Sequence, residues 1–257
     1  MEKQVFVDKL YQRLENGNVV VLTGAGMSTA SGIRDFRGVN GLYKENINAE
    51  EILSATYFKN HPQEFYDFYR KYLVLNDDIK PNVAHELIKE YQDMGKIKAI
   101  ITQNIDGLDV KVGCVNVIEI HGNANQFHCV ECGSKYNISD ITNTSDVPHC
   151  TKCDGVIRPN IVLYQEPLED FSLWQSKDYI DKAKTLLVIG SSLRVYPAAG
   201  LVKNFYIETR DNQDKELYII NQGPTDLDGY SDIYRYDGDI IEVTNDLKIK
   251  KLSKKII

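Results

Sequence analysis

Residues 19–32 have the sequence Val-Val-Val-Leu-Thr-Gly-Ala-Gly-Met-Ser-Thr-Ala-Ser-Gly. Three valines and a leucine in succession predict a strand that is buried on both faces. Gly24 and Gly26 predict a tight turn directly after it, of the kind that begins a dinucleotide-binding unit. The third glycine of that fingerprint is not at its usual spacing, so the turn alone also suits a structural role. An aromatic ring and two cations follow in residues 33–38, and this combination favours the ligand-binding interpretation.

Similar apolar runs recur along the chain, and stretches with helical spacing separate them. The predicted strands are 19–22, 97–101, 115–120, 186–189 and 217–220. The predicted helices are 3–15, 84–93 and 198–209. The first of these follows from Phe6, Leu10 and Leu14, which recur at every fourth residue. Strands that alternate with helices predict an α/β fold with a Rossmann-like, doubly wound parallel sheet.

Polar or glycine residues follow each predicted strand. They lie at 23–26, 102–106, 121–123, 190–192 and 221–223. Any turn after a strand needs such residues, which accounts for the glycines and asparagines. The general need for turn residues accounts less well for the Gln-Asn-Ile-Asp stretch and the His-Gly pair. Because open parallel sheets bind ligands at the carboxyl ends of their strands, we expect these turns to form one cleft.

Two segments interrupt the alternation of strands and helices. Residues 40–80 carry aromatic residues near helical spacing and predict a helical insertion, although such a stripe also suits simple packing. Residues 124–157 hold four of the five cysteines and little apolar core. We therefore expect a Rossmann-like domain made of residues 1–39, 81–123 and 158–257. A smaller domain would combine a helical module, 40–80, with a zinc-binding module, 124–157.

The four cysteines Cys129, Cys132, Cys150 and Cys153 form a C-x2-C-x17-C-x2-C pattern. This spacing is typical of a four-thiolate zinc site, and disulfides are the alternative. Four thiolates would fill the tetrahedral shell and leave no position for water or substrate, so the zinc would be structural. We expect the adjacent His128 and His149 not to be ligands. Cys114 is predicted to be a buried apolar residue.

The composition of the 257 residues is that of a globular protein, with 42% hydrophobic and 26% charged residues. A formal charge of -7 provides no basic excess for nucleic acid or an anionic membrane. No apolar run is long enough for a membrane span, and residues 1–17 do not resemble a signal peptide. Paired cysteines favour metal ligation in a reducing compartment. We expect a soluble, cytoplasmic protein, for which a monomer is plausible.

The sequence resembles the sirtuins, which are NAD-dependent protein lysine deacylases. The resemblance covers nearly the whole chain, and its motifs occur in the family's order around the zinc insertion. They are GAGMSTASGIRDFRG from residue 24, PNVAHELI from 81, TQNIDGLD from 102, His121-Gly122, the two cysteine pairs, GSSLRVYPAAGL from 190, and Ile220-Asn221. The resemblance implies that NAD is consumed as a co-substrate. The acetyl group of a lysine would pass to ADP-ribose, with release of nicotinamide and O-acetyl-ADP-ribose.

The resemblance also assigns catalytic roles. His121 matches the general base that activates a ribose hydroxyl for attack on an alkylamidate intermediate, and a neutral imidazole is available for this near pH 7. Asp106 would hold the nicotinamide carboxamide, and Asn104 would order ribose and water. Phe36 would cover the nicotinamide ring, and Arg37 would order the loop on the phosphate side.

Further matches concern binding. The implied NAD contacts are Ala25, Thr29, Phe36, Arg37, Gln103, Asn104, Ile105, Asp106, His121, Ser191, Ser192, Asn221, Asp239 and Ile240. An acylated-lysine protein would add a strand between the segments around Val162-Leu163 and Arg194-Val195. Sirtuins that prefer succinyl-lysine resemble one another in a Tyr-x-x-Arg pair in the helical insertion. No tyrosine in 57–75 has arginine three places on, so we expect uncharged short acyl groups.

Three positions depart from the family pattern. Asp109 stands where a histidine is common, and we expect this position to lie outside the chemistry. Gln165 replaces a glycine after the peptide-binding strand, where a side chain could restrict the backbone or narrow the groove. Arg34 replaces a common proline.

Other functions remain possible from the residues alone. An NAD hydrolase, an ADP-ribosyltransferase or a deacylase for other acyl groups would use the same cleft. A hydride-transferring oxidoreductase would explain the glycine-rich turn but not Gln103, Asn104 and Asp106. A non-enzymatic zinc-ribbon adaptor would explain only the zinc insertion, which is a small part of the chain.

Overall fold

The computed structural model describes residues 1–35, 41, 48–74, 78–141 and 145–254. Its helices are α1 (Lys3–Asn16), α2 (Ala49–Ile52), α3 (Ala55–Asn60), α4 (Pro62–Tyr72), α5 (Val83–Asp93), α6 (Leu108–Lys111), α7 (Asp170–Lys182), α8 (Ala198–Asp211) and α9 (Ile240–Lys254). Its strands are β1 (Val19–Thr23), β2 (Ile97–Thr102), β3 (Val117–Glu119), β4 (Gly122–Cys129), β5 (Lys135–Asn137), β6 (Ile157–Ile161), β7 (Thr185–Ile189), β8 (Glu216–Ile220) and β9 (Tyr234–Tyr236).

Six strands form one parallel sheet in the order β3-β2-β1-β7-β8-β9. This is the strand order of the doubly wound dinucleotide-binding fold, with its switch point between β1 and β7. The predicted Rossmann-like fold is therefore confirmed. The sequence did not predict α7, α9 or β9. The edge strand β9 is short and half-exposed on every residue, so it has neither the apolar run nor the alternation that marks a strand.

Alternation along β1 supplies the cores on the two faces of the sheet. Val19 and Val21 pack with α1, α5 and α9 on one face, while Val20 and Leu22 pack with α7 and α8 on the other. All four side chains are fully buried, as the apolar run predicts.

The smaller domain has its own core and its own sheet. Three strands pair antiparallel in the order β5-β4-β6, and α2, α3 and α4 pack beside them. Phe65, Tyr66 and Tyr69 are buried there, together with Cys129 and Cys150. The helical insertion and the cysteine insertion thus share one core. The small sheet includes β6, so it extends beyond residue 157 to Ile161.

No helix among the described residues combines the length and the apolar character that crossing a membrane requires.

Candidate active site

A cleft of about 1390 Å³ lies between the carboxyl ends of the large sheet and the smaller domain. It exceeds the roughly 300–1,000 Å³ of a usual single-ligand pocket and has room for two substrates. It brings together most of the residues predicted from the strand ends and from the family resemblance: Ala25, Thr29, Gln103, Asn104, Ile105, His121, Val162, Leu163, Ser191, Ser192, Arg194, Val195, Asn221, Asp239 and Ile240. Asp106 does not line the cleft. Phe36 and Arg37 lie outside the described residues.

Two glycine turns form the floor of the cleft by backbone-to-backbone packing. A Cβ on Gly26 would lie 2.8 Å from the Gly190 Cα, and a Cβ on Gly190 would lie 2.2 Å from the Met27 nitrogen. The amides of Gly24 and Gly26 donate to the carbonyls of Ile189 and Gly190. These glycines are therefore required for the contact between the β1 and β7 turns, and their own amides are already engaged there.

Asn82, the residue before α5, holds the glycine turn from outside the cleft. The Asn82 amide group donates to the Met27 carbonyl at 2.9 Å and to the Ser31 hydroxyl at 3.0 Å. Its side-chain oxygen accepts from the Ala84 amide and caps α5. One asparagine thus fixes the turn to the start of α5.

Ser28 connects two of the predicted catalytic residues. Its hydroxyl donates to the Asp106 carboxylate at 2.7 Å and accepts from the Asn104 amide group at 3.2 Å. Asn104 also donates to the Gly24 carbonyl at 3.1 Å, so both amide protons are used and its carbonyl oxygen is left to face a ligand. Burial raises the pKa of Asp106, while the hydrogen bonds from Leu108 and Ser28 oppose that rise.

Gln103 links the ends of β2 and β7. Its side-chain amide donates to the Ser191 hydroxyl at 2.9 Å, and that hydroxyl also accepts from the Leu193 amide at 3.3 Å. Because the Ser191 oxygen accepts both bonds, its proton is available for an anionic ligand. The Asn221 amide group donates to the carbonyls of Gln222 and Gly223, which leaves its carbonyl oxygen as an acceptor for a hydroxyl.

His121 lies between β3 and β4 and faces into the cleft. Its Nδ1 is 2.9 Å from the Gln103 carbonyl oxygen. A carbonyl can only accept, so Nδ1 carries the proton and the Nε2 lone pair is free. Burial lowers the pKa of His121 below its ordinary 6.5, although the bond to Gln103 opposes that shift. The imidazole is therefore neutral near pH 7 and has the tautomer of a general base.

Residues 162–166, which follow β6, form the wall of the cleft beside His121. The Val162 amide donates to the His121 carbonyl, and Tyr164 pairs with the chain around Ser54. The Leu163 amide donates to the Glu166 carboxylate at 2.8 Å, and the Leu163 carbonyl accepts from the Glu166 amide. The backbone of Leu163 is thus already paired, although its side chain lines the cleft.

A bidentate ion pair holds Glu166 in this position. Arg158 contacts both carboxylate oxygens, at 2.6 and 3.0 Å. Burial opposes ionisation, but the hydrogen bonds from Arg158 and Leu163 lower the pKa of Glu166. The turn that follows the wall is therefore fixed by a charged pair.

Gln165 stands where the sirtuin resemblance implies a glycine in many members. Its φ of 76° lies in the left-handed region that favours glycine. The side-chain oxygen accepts from the Thr56 hydroxyl at 2.7 Å and from the Thr56 amide at 3.2 Å. The glutamine therefore adopts a backbone conformation that favours glycine, and its side chain adds a link to the start of α3.

The four predicted zinc ligands converge at the end of the small sheet. Their sulfur atoms all lie within 4.8 Å of one another, with Cys129 to Cys153 at 3.5 Å and Cys132 to Cys150 at 3.6 Å. Zinc bonds of about 2.3 Å in a tetrahedron place sulfurs about 3.8 Å apart, so the set fits a structural zinc ion. His149 bonds instead to the Asp154 carbonyl. Cys114 is buried elsewhere, as predicted.

Neither Ser28 nor Asp109 was marked as part of the site by the sequence motifs. Ser28 lies in the quoted glycine turn, and a hydroxyl two residues beyond Gly26 is the signal that could have marked it. Asp109 is only 2% exposed, and the Thr23 hydroxyl oxygen lies 3.3 Å from its carboxyl group. Only its difference from the family pattern distinguished it in the sequence.

Comparison with known proteins shows which family this chain belongs to. The family model described as Sir2 family matches residues 24–197. The chain belongs to the Sir2 family. A protein of Clostridium perfringens named NAD-dependent protein deacetylase is 43% identical over 88% of this chain and 92% of its own length. A Thermotoga maritima protein of the same name is 40% identical over 94% of this chain and 95% of its own.

Solved structures of the Sir2 family extend the similarity to three dimensions. A Sir2 protein with a deacetylated p53 peptide and 3'-O-acetyl-ADP-ribose has a TM-score of 0.86 and 37% identity, covering 95% of this chain and 97% of its own. A Sir2 complex with p53 peptide and NAD has a TM-score of 0.83 and 36% identity, covering 98% and 99%. The sirtuin resemblance seen in the motifs is thereby confirmed.

Proposed function

We propose that this chain is an NAD-dependent protein lysine deacetylase. It transfers the acetyl group of a modified lysine to ADP-ribose and releases nicotinamide and O-acetyl-ADP-ribose. Relatives named NAD-dependent protein deacetylase support this activity, as do Sir2 structures with NAD, a p53 peptide and acetyl-ADP-ribose. The family match over residues 24–197 includes the strand ends that form the cleft.

The observation that carries the proposal is the state of His121. A neutral imidazole with its proton on Nδ1 can accept a hydroxyl proton at Nε2 without first losing one of its own. The Gln103 carbonyl stabilises the positive charge that the ring acquires. A dehydrogenase can also use a histidine base, so the choice against hydride transfer rests on the Sir2 family match and on the relatives named NAD-dependent protein deacetylase.

Both substrates enter the same cleft. NAD supplies the ribose that accepts the acyl group and the nicotinamide that leaves. The Asn104 carbonyl oxygen orients a ribose hydroxyl or water, and the Ser191 hydroxyl and the Asn221 carbonyl bind the adenosine side of NAD. Asp106 acts from behind the cleft wall, through Ser28 and the chain at Ile105. We assign Ala25, Thr29, Ser192, Asp239 and Ile240 to NAD contacts because they line this region.

The acylated peptide adds a strand at the wall that Val162 and Gln165 form, opposite Arg194 and Val195. Leu163 contributes its side chain, because its own backbone groups are bonded to Glu166. Arg194 lies 3.6 Å from the Asp226 carboxylate, so an ion pair holds the opposite side of the groove. Main-chain pairing accepts many sequences around the modified lysine.

Cys129, Cys132, Cys150 and Cys153 would hold a zinc ion with all four positions filled, so the ion would have no role in the chemistry. It would tie β4 to the loop before β6. Unpaired thiolates that bind metal also favour the cytoplasm as the location of the protein.

Product analysis tests this function directly. The protein is incubated with NAD and an acetyl-lysine peptide, and the products are identified by mass spectrometry. We expect deacetylated peptide, nicotinamide and O-acetyl-ADP-ribose in equal amounts. Free ADP-ribose without peptide turnover would indicate an NAD hydrolase, and an ADP-ribosylated peptide would indicate a transferase. Absorbance at 340 nm would indicate reduction of NAD. Each of these results would overturn the deacetylase assignment.

A further inference from the structure

Asp109 is a buried carboxyl group that lacks a full set of partners. It lies on α6, and its Oδ2 is 3.3 Å from the Thr23 hydroxyl oxygen, which carries a single proton. Its Oδ1 is buried without a hydrogen-bond partner in the described part of the chain. A carboxylate in such a place loses its hydration without receiving compensation, so the uncharged form is favoured.

The negative charges around Asp109 also favour its uncharged form. Asp106 lies in the loop before α6, and Glu119 ends β3. Within the described residues, no lysine, arginine or histidine forms an ion pair with any of the three carboxylates. The thiol of Cys114 is the other titratable neighbour, and Lys89 and Asp93 of α5 affect that thiol.

Burial raises the pKa of Asp109, and the negative charges of Asp106 and Glu119 add to the rise, while the hydrogen bonds from Thr102 and Thr23 oppose it. The net result is a pKa of about 7. Asp109 thus changes charge in the range where the protein is expected to work.

A short chain of hydroxyls connects Asp109 to the cleft. The Thr23 hydroxyl lies 2.7 Å from the Thr102 hydroxyl, at the carboxyl ends of β1 and β2. The Thr102 hydroxyl in turn accepts from the Asn104 backbone amide at 3.1 Å. The route from the buried carboxyl to the backbone of Asn104 therefore has three hydrogen bonds.

We propose that Asp109 is a positioning residue for NAD: its protonated form keeps the Thr23–Thr102 pair in the order that holds Asn104 toward the ribose, and its ionisation disturbs that order. The proposal rests on the proposed function only in that NAD is the ligand. It differs from our expectation that position 109 lies outside the chemistry.

The two states of Asp109 make different demands on the hydroxyls. A protonated carboxyl donates to the Thr23 oxygen, and the Thr23 proton then goes to Thr102. An ionised carboxylate can only accept, so it takes the Thr23 proton away from Thr102. It also places a second negative charge beside Asp106. Binding of NAD therefore weakens as Asp109 ionises.

The test is the KM for NAD between pH 5.5 and 8.5, measured with a saturating acetyl-lysine peptide. We expect the wild-type KM to rise roughly three- to tenfold through a break near pH 7. In Asp109→Asn the amide donates to Thr23 as the protonated acid does, so the KM stays within about twofold over the whole range. The matched control Asp211→Asn, at the exposed end of α8, keeps the wild-type break.

A second variant and a second measurement keep the test independent of how well Asp109→Asn folds. Glu119→Gln removes a neighbouring negative charge, so the break moves to lower pH. The ¹³C shift of the Asp109 carboxyl, assigned by its loss in Asp109→Asn or by sequential assignment of the wild type, titrates near pH 7 without any turnover. A titration near pH 4, or an equal break in wild type and Asp109→Asn, would overturn the proposal. Wild-type protein that cleaves no NAD at any pH would overturn the proposed function instead, while the carboxyl titration would still decide the state of Asp109.

Discussion

The backbone carbonyl of His121 accepts a hydrogen bond from the amide of Val162 at 3.0 Å. The contact continues into the small sheet, where Gly122, which follows His121, pairs with Ile161, which precedes Val162. A Cβ on Gly122 would lie 2.0 Å from the Asn160 carbonyl oxygen, and its φ is 78°. Only glycine permits this approach. The imidazole and the cleft wall at Val162 are therefore held together by backbone pairing, as the proposed placement of a modified lysine beside the base requires.

Replacement of the base should abolish most turnover without unfolding the protein. We expect His121→Ala to lower the deacetylation rate about 10²- to 10⁴-fold, the usual cost of losing a general base. Thermal unfolding and zinc content should remain near wild type. His61→Ala, which changes an exposed histidine between α3 and α4, serves as control and should retain full activity. Near-normal turnover by a folded His121→Ala protein would remove His121 from the mechanism.

The pH dependence of kcat should report the same imidazole. Burial lowers the pKa of His121 below 6.5, so the free base persists to lower pH than an exposed histidine would allow. We expect kcat to decline only below pH 6.5, as protonation removes the base. A pH profile of kcat at saturating NAD and peptide gives this limb. A decline that begins above pH 7 on the acidic side would contradict the burial of the ring.

The zinc site should be essential for the fold of the smaller domain. Cys129 and Cys150 belong to the core that also contains Phe65 and Tyr69. We expect Cys132→Ser and Cys150→Ser to lose zinc and folded protein together, because ligation provides folding energy. Cys114→Ser, outside the cluster, should keep one zinc ion per chain, measured by atomic emission. Full activity of a metal-free Cys150→Ser protein would show that the site is dispensable.

Gln165 should affect the peptide and not NAD. Gln165→Ala keeps a side chain at a positive φ and loses both bonds to Thr56, so we expect it to be about 1 kcal/mol less stable than wild type. Gln165→Gly loses the same bonds but relieves backbone strain of about 1–2 kcal/mol, so its stability should be close to wild type. We expect both variants to raise the KM for the peptide several-fold and to leave the KM for NAD unchanged. A change confined to NAD would contradict this placement.

The ionisation of Asp109 should also appear in the stability of the fold. The folded-state pKa is about 7 against an unfolded value of 3.8, so the folded protein binds this proton more tightly. The stability that this bound proton contributes is fully present below pH 3.8 and is lost as the pH rises through 7. The free energy of unfolding falls by up to about 4 kcal/mol over that range. We expect the stability of Asp109→Asn relative to wild type to increase between pH 4 and 7 and then level off. Urea unfolding at several pH values measures this difference, and a constant difference would contradict the buried charge.

The sequence predicted the strands whose runs are apolar and the residues that follow them, because both signals are local. The cleft could be located from these alone, since parallel strands place their carboxyl ends on one edge. The state of His121 could not be predicted, because the Gln103 carbonyl that fixes its tautomer is distant in sequence. The burial of Asp109 and the bond between Gln165 and Thr56 also depend on how separate elements pack. The weak edge strand β9 forms only because β8 provides a partner.

The acyl group preferred by the enzyme follows from where Arg70 lies. A succinyl group carries a charge into the acyl pocket and needs a cation there. The Arg70 guanidinium instead contacts the carbonyls of Ser145 and Asp146, lies 5.2 Å from the Tyr66 ring and does not line the cleft. Arg34 and Arg194 are the arginines among the described residues that line the cleft, and Arg194 is held by Asp226.

We expect acetyl-lysine to be removed with at least tenfold higher kcat/KM than succinyl-lysine on the same peptide. The comparison uses matched peptides at one NAD concentration, and Arg70→Ala should leave the ratio unchanged because this arginine does not reach the acyl group. A succinyl preference that disappears in Arg70→Ala would show that Arg70 enters the pocket when substrate binds.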